Sequence, residues 1–198
     1  MNIGIMGGTF DPIHSAHLLI AEMAREEFNL HRVVFMTGGN PPHKTDITPS
    51  SMRFQMTRLA ISDNPYFADD DYETKKTEKS YTVRTLEYLK DKYPEDELFF
   101  IIGEDSLKDF PMWYKPEEIL KMCTLLVFPR TSHSALADTL NEMRIKYGDN
   151  ILPINAPIME ISSTEIRDRI GKGKTVKYML PDKVIEYIKE NNLYGKRD

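Results

Sequence analysis

Short apolar runs recur along this chain at Ile3–Met6, Val33–Met36, Leu98–Ile102, Leu125–Phe128 and Ile151–Ile154. Between most of them lie segments with helical periodicity: Leu18–Phe28, Met52–Ile61, Val83–Tyr93 and Ala135–Tyr147. Runs that are apolar throughout, rather than at alternate positions, belong to strands covered on both faces. Interleaved with helices, they predict an α/β fold with a doubly wound parallel sheet and ligands at the carboxyl ends of its strands. The 198 residues suffice for one such unit and show no internal repeat or low-complexity linker. From Ser162 onward the pattern is helical, ending in Asp182–Asn191 with a stop at Gly195. Residues 1–198 therefore read as a single domain, with a small C-terminal helical cap over about 162–198.

Composition narrows the partners. The net charge of −5 offers no basic footprint for nucleic acid. The single cysteine, Cys123, sits in the apolar run Cys123–Phe128, which suits packing in a reducing compartment. No signal-peptide pattern and no run of membrane-spanning length is present, so the expectation is a cytoplasmic protein without a membrane partner. The run Asp69-Asp70-Asp71 reads as a solvated turn.

Chemistry concentrates at two places. The first is Gly7-Gly8-Thr9-Phe10-Asp11-Pro12-Ile13-His14-Ser15-Ala16-His17, between the first strand and the first helix. Glycines let backbone N–H groups approach an anion closely. A helix N-terminus adds unpaired donors and the positive end of its dipole. His14 and His17, one turn apart, share a helix face about 4.5 Å apart along the axis, so both can donate to one phosphate chain. A zinc half-site is the other reading, but no cysteine or third histidine has the spacing to complete it. The second place is Ser162-Ser163-Thr164-Glu165-Ile166-Arg167-Asp168-Arg169. Ser162 and Glu165 form a capping box, and Arg167 shares a face with Ser163, above the helix N-terminus. Arg169 is about 200° around the helix from Arg167 and cannot serve the same ligand. Gly173-Lys174-Thr175 is not a P-loop end, because Asp168 stands where the earlier glycine is needed, and Gly4, Gly7 and Gly8 do not fit the dinucleotide pattern.

Together the two motifs resemble the nucleotidylyltransferase superfamily of the G-x-F-x-P-x-H-x-x-H and S-S-T-x-x-R type. Within it the chain is similar to the bacterial nicotinate mononucleotide adenylyltransferases, through Pro41-Pro42-His43-Lys44, Ser80–Leu86, Phe100–Asp105 and Trp113-Tyr114, in order and over nearly the whole length. The resemblance implies a Rossmann-like sheet and transfer of AMP from ATP to nicotinate mononucleotide, giving deamido-NAD and pyrophosphate. It implies ATP contacts from Gly8, Thr9, Phe10, His14, His17, Gly103, Asp105, Ser162, Ser163, Thr164 and Arg167. It makes His14, His17, Lys44 and Arg167 the catalytic set, and Thr85, Trp113, Tyr114 and Arg130 the mononucleotide contacts. Mg²⁺ is expected to come with ATP rather than on a protein metal site, and a homodimer is common among relatives.

The residues suit that chemistry. An ionised phosphate nucleophile needs no strong base, only alignment and neutralisation of charge at the α-phosphorus. Trp113, in a proline-bracketed loop, is expected to be half-exposed and free to stack on a flat pyridine. Thr82 and Thr85 place hydroxyls at a helix start, which favours a carboxylate over an amide. Two alternatives stay open: the same chemistry on another acceptor such as phosphopantetheine, or with CTP as donor, and a non-catalytic nucleotide-binding protein.

Overall fold

The computed structural model describes residues 1–40 and 47–195. Among them are strands β1 (Asn2–Gly8), β2 (Arg32–Thr37), β3 (Phe67–Asp70), β4 (Glu97–Gly103), β5 (Thr124–Phe128) and β6 (Ile151–Pro153). Helices are α1 (Ser15–Glu27), α2 (Ser50–Ile61), α3 (Thr82–Lys92), α4 (Glu104–Asp109), α5 (Pro116–Met122), α6 (His133–Tyr147), α7 (Ser163–Gly171) and α8 (Asp182–Glu190). The strands form one sheet in the order β3-β2-β1-β4-β5-β6, with every neighbouring pair parallel.

Alternation along the strands divides the core in two. Val33, Phe35, Ile101, Leu126 and Phe128 face α1, α2, α7 and α8. Val34, Met36, Leu98, Phe100, Ile102, Leu125 and Val127 face α3, α4, α5 and α6. Both faces are covered, which is why these strands are apolar at successive positions. The chain runs outward from β1 to β3, then returns to place β4 beside β1. That reversal leaves a crevice at the carboxyl ends of β1 and β4, the position where open α/β sheets take ligands.

Two expectations change. Asp69 and Asp70 are not in a solvated turn: they end the edge strand β3. Asp70 is buried and accepts from Lys92 Nζ at 2.7 Å and from Tyr88 at 3.2 Å. An edge strand with a paired acid carries little apolar signal, so the sequence pattern misses it. Nor does Gly195 stop the last helix. It ends at Glu190, and Asn192 and Tyr194 turn the chain with φ of +50° and +62°. Among the described residues no helix is long and apolar enough to cross a membrane. Cys123 is buried, its thiol pushed up to about 12 by burial.

Candidate active site

A cavity of about 760 Å³ occupies the crevice. One wall is the turn from β1 into α1. Phe10 adopts φ of +51°, a region that bulky side chains avoid. Its ring folds back over Gly8, where an added Cβ would lie 2.5 Å from a ring carbon, so only glycine fits. The turn ends at His14, the N-cap of α1. The His14 and His17 rings are stacked, centroids 3.7 Å apart, and the Phe10 edge meets His17 at 5.0 Å. The backbone N–H of His14 donates to His17 Nδ1 at 3.2 Å, which leaves the His17 proton on Nε2. Burial first, and then the charge of Arg130, push His14 down to about 4, so it is neutral at pH 7.

The second wall comes from the far end of the chain. Ser162 caps α7, accepting from the backbone N–H of Glu165 at 3.1 Å. Ser163 Oγ donates to the Pro12 carbonyl at 2.9 Å, and Arg167 donates to the Asp11 carbonyl at 2.8 Å and to Thr164 Oγ1 at 3.3 Å. The two motifs are thus bonded directly to each other, and two helix N-termini open on one cavity. Arg169 points elsewhere, donating to the Thr175 carbonyl.

Gly103, Asp105, Trp113, Phe100 and Arg130 also line it, together with the acidic side chains of Asp11 and Glu73. Trp113 is half-buried, set edge-on to Phe110 at 5.5 Å and to Phe100 at 6.4 Å. Arg130 lies over the Phe128 ring at 5.2 Å, and its Nε is 3.8 Å from the Asp105 carboxylate. Behind it Glu104, fully buried, accepts from Lys108 at 2.6 Å, from the Arg130 N–H at 3.2 Å and from Thr131 Oγ1 at 3.3 Å. Among the described residues, His14 Nδ1 and Arg130 Nε are buried without a hydrogen-bond partner, and no group of three acidic, histidine or cysteine side chains is placed to hold a metal.

Three expected residues stand apart. Thr85 is 1% exposed and does not line the cavity; its hydroxyl donates to Glu73 Oε1 at 2.6 Å. A helix-start threonine looks like a ligand contact in sequence, but here the carboxyl of Glu73, which itself lines the cavity, accepts its hydrogen bond. Thr82 lines the cavity instead. Tyr114 is exposed, tilted against Tyr81 at 5.3 Å, and is not in the lining. Lys44 lies outside the described residues.

Sequence reasoning also passed over a supporting layer. Asp11 accepts from Tyr194 OH at 2.6 Å and from the Thr48 N–H at 3.2 Å, tying the first turn to the last described residues. Arg53 was signalled by a cation on the apolar side of a helix, in register with Met56, Ala60 and Ile61. Glu73 had no such signal, since it sits in a charged stretch.

The cytidylyltransferase-like family model matches residues 5–169, and the chain belongs to that family. Within this class the similarity is narrower. A "Probable nicotinate-nucleotide adenylyltransferase" of Clostridium botulinum (strain Loch Maree / Type A3) is 44% identical, over 98% of this chain and 99% of the relative. One of the same description from Caldicellulosiruptor bescii is 42% identical, over 99% of this chain and 100% of the relative. In fold, the chain is similar to the solved Plasmodium falciparum nicotinic acid mononucleotide adenylyltransferase complexed with NaAD. The TM-score is 0.80 at 24% identity, covering 98% of this chain and 97% of that one.

Proposed function

We propose that the protein transfers AMP from ATP to nicotinate mononucleotide, releasing pyrophosphate and forming nicotinate adenine dinucleotide, a step of NAD biosynthesis. One observation carries the reading: a single cavity joins an anion-ready end, made by the openings of α1 and α7, to an aromatic end at Trp113 and Phe100. The full-length similarity to nicotinate-nucleotide adenylyltransferases supports the choice of acceptor.

In this reading a phosphate oxygen of the mononucleotide attacks the α-phosphorus of ATP. The bond from the α-phosphorus to the bridging oxygen breaks, and pyrophosphate leaves with the electron pair. His17, with its proton on Nε2, donates to the phosphate chain, while neutral His14 adds a donor without drawing a counter-charge. Ser162, Ser163, Thr164 and Arg167 hold the β- and γ-phosphates with the first N–H groups of α7. Gly8, Thr9 and Phe10 meet the phosphates and adenosine, and Gly103 and Asp105 the ribose. Trp113 takes the pyridine ring and Arg130 the acceptor phosphate. The orphaned Arg130 Nε and His14 Nδ1 fit an anionic ligand. Lys44 keeps its sequence assignment as a further cation on the reacting phosphates. Mg²⁺ would arrive as part of Mg-ATP, with phosphate and water as its ligands; the lining of hydroxyls, cations and the scattered carboxylates of Asp11, Glu73 and Asp105 leaves room for such a hydrated ion. With the Thr85 hydroxyl committed to Glu73, preference for the acid falls to Thr82 and the N–H groups opening α3. Residues 1–198 act as one unit, and the buried thiol of Cys123 suits a cytoplasmic setting.

Pyrophosphate release with ATP or CTP, against nicotinate mononucleotide, its amide analogue and phosphopantetheine, tests the proposal. ATP with nicotinate mononucleotide is expected to be the best pair. Binding of ATP without turnover on any acceptor would instead identify a nucleotide-binding protein.

A further inference from the structure

Arg53 is 0% exposed and makes no contact with the cavity, yet it is bonded to the loops that build it. A buried guanidinium is costly unless its N–H groups are met. Here backbone carbonyls meet them. Nε donates to Thr48 at 2.7 Å, Nη1 to Thr9 at 2.5 Å and Gly38 at 2.6 Å, and Nη2 to Gly39 at 2.9 Å. Among the described residues the nearby acids Asp11 and Glu73 act on it only through their field. Thr9 and Gly38 both line the cavity.

A trans peptide points its C=O and N–H in opposite directions. The Gly38–Gly39 plane shows the effect: its carbonyl goes to Arg53, and the Gly39 N–H meets Glu73 on the other side. Gly39 is wedged there, since a Cβ would lie 2.0 Å from the Glu73 carbonyl. The same logic applies to the Thr9–Phe10 plane. With the Thr9 carbonyl drawn to Arg53, the Phe10 N–H faces away from it, on the side of the cavity that both residues line. Phe10 at φ of +51° is not in a conformation its own side chain favours, so an outside clamp is needed to keep that plane turned.

We infer that Arg53 is a positioning residue for adenylyl transfer: it fixes the Thr9–Phe10 peptide so that the Phe10 N–H is a preorganised donor to the phosphate chain, and it holds the Gly38–Gly39 turn beside it, where the Gly38 N–H donates to the Gly8 carbonyl at 2.8 Å. The turnover part rests on the reaction proposed above; the orientation of the donor does not.

The Arg53→Lys variant keeps the charge and loses the fork that reaches four carbonyls. Three measurements on the full chain test the role. Added inorganic tripolyphosphate should shift the Phe10 backbone ¹⁵N–H resonance in the wild type and leave it nearly unmoved in Arg53→Lys. The variant, checked for cooperative unfolding, should lose about 100-fold in kcat with KM for nicotinate mononucleotide within about threefold. Ethylguanidinium should recover at least about tenfold of the activity lost in Arg53→Ala, which a merely destabilised protein would not show. A lysine variant that unfolds more easily but keeps kcat within about threefold would overturn the inference. If neither variant folds, the wild-type resonance decides alone: a Phe10 amide indifferent to tripolyphosphate also overturns it. A wild type inactive on every acceptor, but with the Phe10 response intact, would fail the reaction and support the clamp.

Discussion

Acid should weaken this fold at His14 before it weakens most of the surface. The imidazole is 2% exposed and is held at about 4, first by burial and then by the charge of Arg130, against an ordinary 6.5. As pH falls through 6.5 the unfolded chain takes up a proton at this residue, and the folded chain does not until the pH nears 4. The unfolded state therefore binds more protons in that window, so stability is full above 6.5 and drains away below it. Between pH 7 and pH 5 the loss is about 2 kcal/mol, or about 5 °C in Tm for a chain of this length. The perturbation is His14→Asn, which keeps a residue suited to an N-cap and removes the titration. Urea unfolding of both proteins at pH 7 and pH 5 gives the difference directly. Wild type is expected to lose about 2 kcal/mol more than the variant over that interval. Equal losses would refute the reasoning, because the variant lacks the imidazole to which the loss is assigned. Tripolyphosphate supplies a second check. An anion against His14 offsets the Arg130 charge, so binding at pH 5.5 should take up protons in wild type and fewer in the variant.

Replacing His17 by alanine should leave ATP binding within about tenfold while turnover falls more than ~100-fold, as steady-state and binding measurements would show for an interaction made mainly in the transition state. Thr85→Val should cost about 1 kcal/mol in a denaturant titration, because the half-buried Glu73 carboxyl loses a donor. Its ratio of efficiencies for nicotinate over nicotinamide mononucleotide should stay unchanged; a falling ratio would put the Thr85 hydroxyl back at the acceptor. Trp113→Ala should raise KM for the acceptor by about tenfold and leave that for ATP nearly alone, with Trp113→Phe recovering most of the loss.

The sheet was legible because its central strands are buried on both faces, and continuous apolar runs as short as Val33–Met36 and Leu125–Phe128 suit a strand sandwiched between helices. β3 was not, because an edge strand ending in Asp69 and Asp70 is indistinguishable from a polar turn until Lys92 and Tyr88 are placed against it. The short helices α4 and α5 offer too few turns for a period to show. In the site, side chains aimed directly into the cavity were readable from their spacing and from the family motifs. Residues that act through others were not. Glu104 behind Arg130, Thr85 behind Glu73 and Tyr194 behind Asp11 make contacts between positions well separated in the chain, and no local pattern encodes those. Thr85 is the instructive case: it stands in the first turn of α3 as its position suggests, but its hydroxyl donates to Glu73 and it does not line the cavity.

The bonds from Ser163 to Pro12, from Arg167 to Asp11, from Ser15 to Met179 and from Tyr194 to Asp11 join residues 11–15 to residues 163–194. During synthesis the strands can assemble as they emerge, because β1 to β6 are complete by Pro153. The phosphate wall cannot, since half of it has not yet left the ribosome. A chain grown only as far as Pro153 can therefore carry all six described strands and still lack the α7 half of its phosphate wall. Nucleotide would then stabilise a chain with α7 in place more than one without it, so the ligand itself favours copies in which both motifs have met.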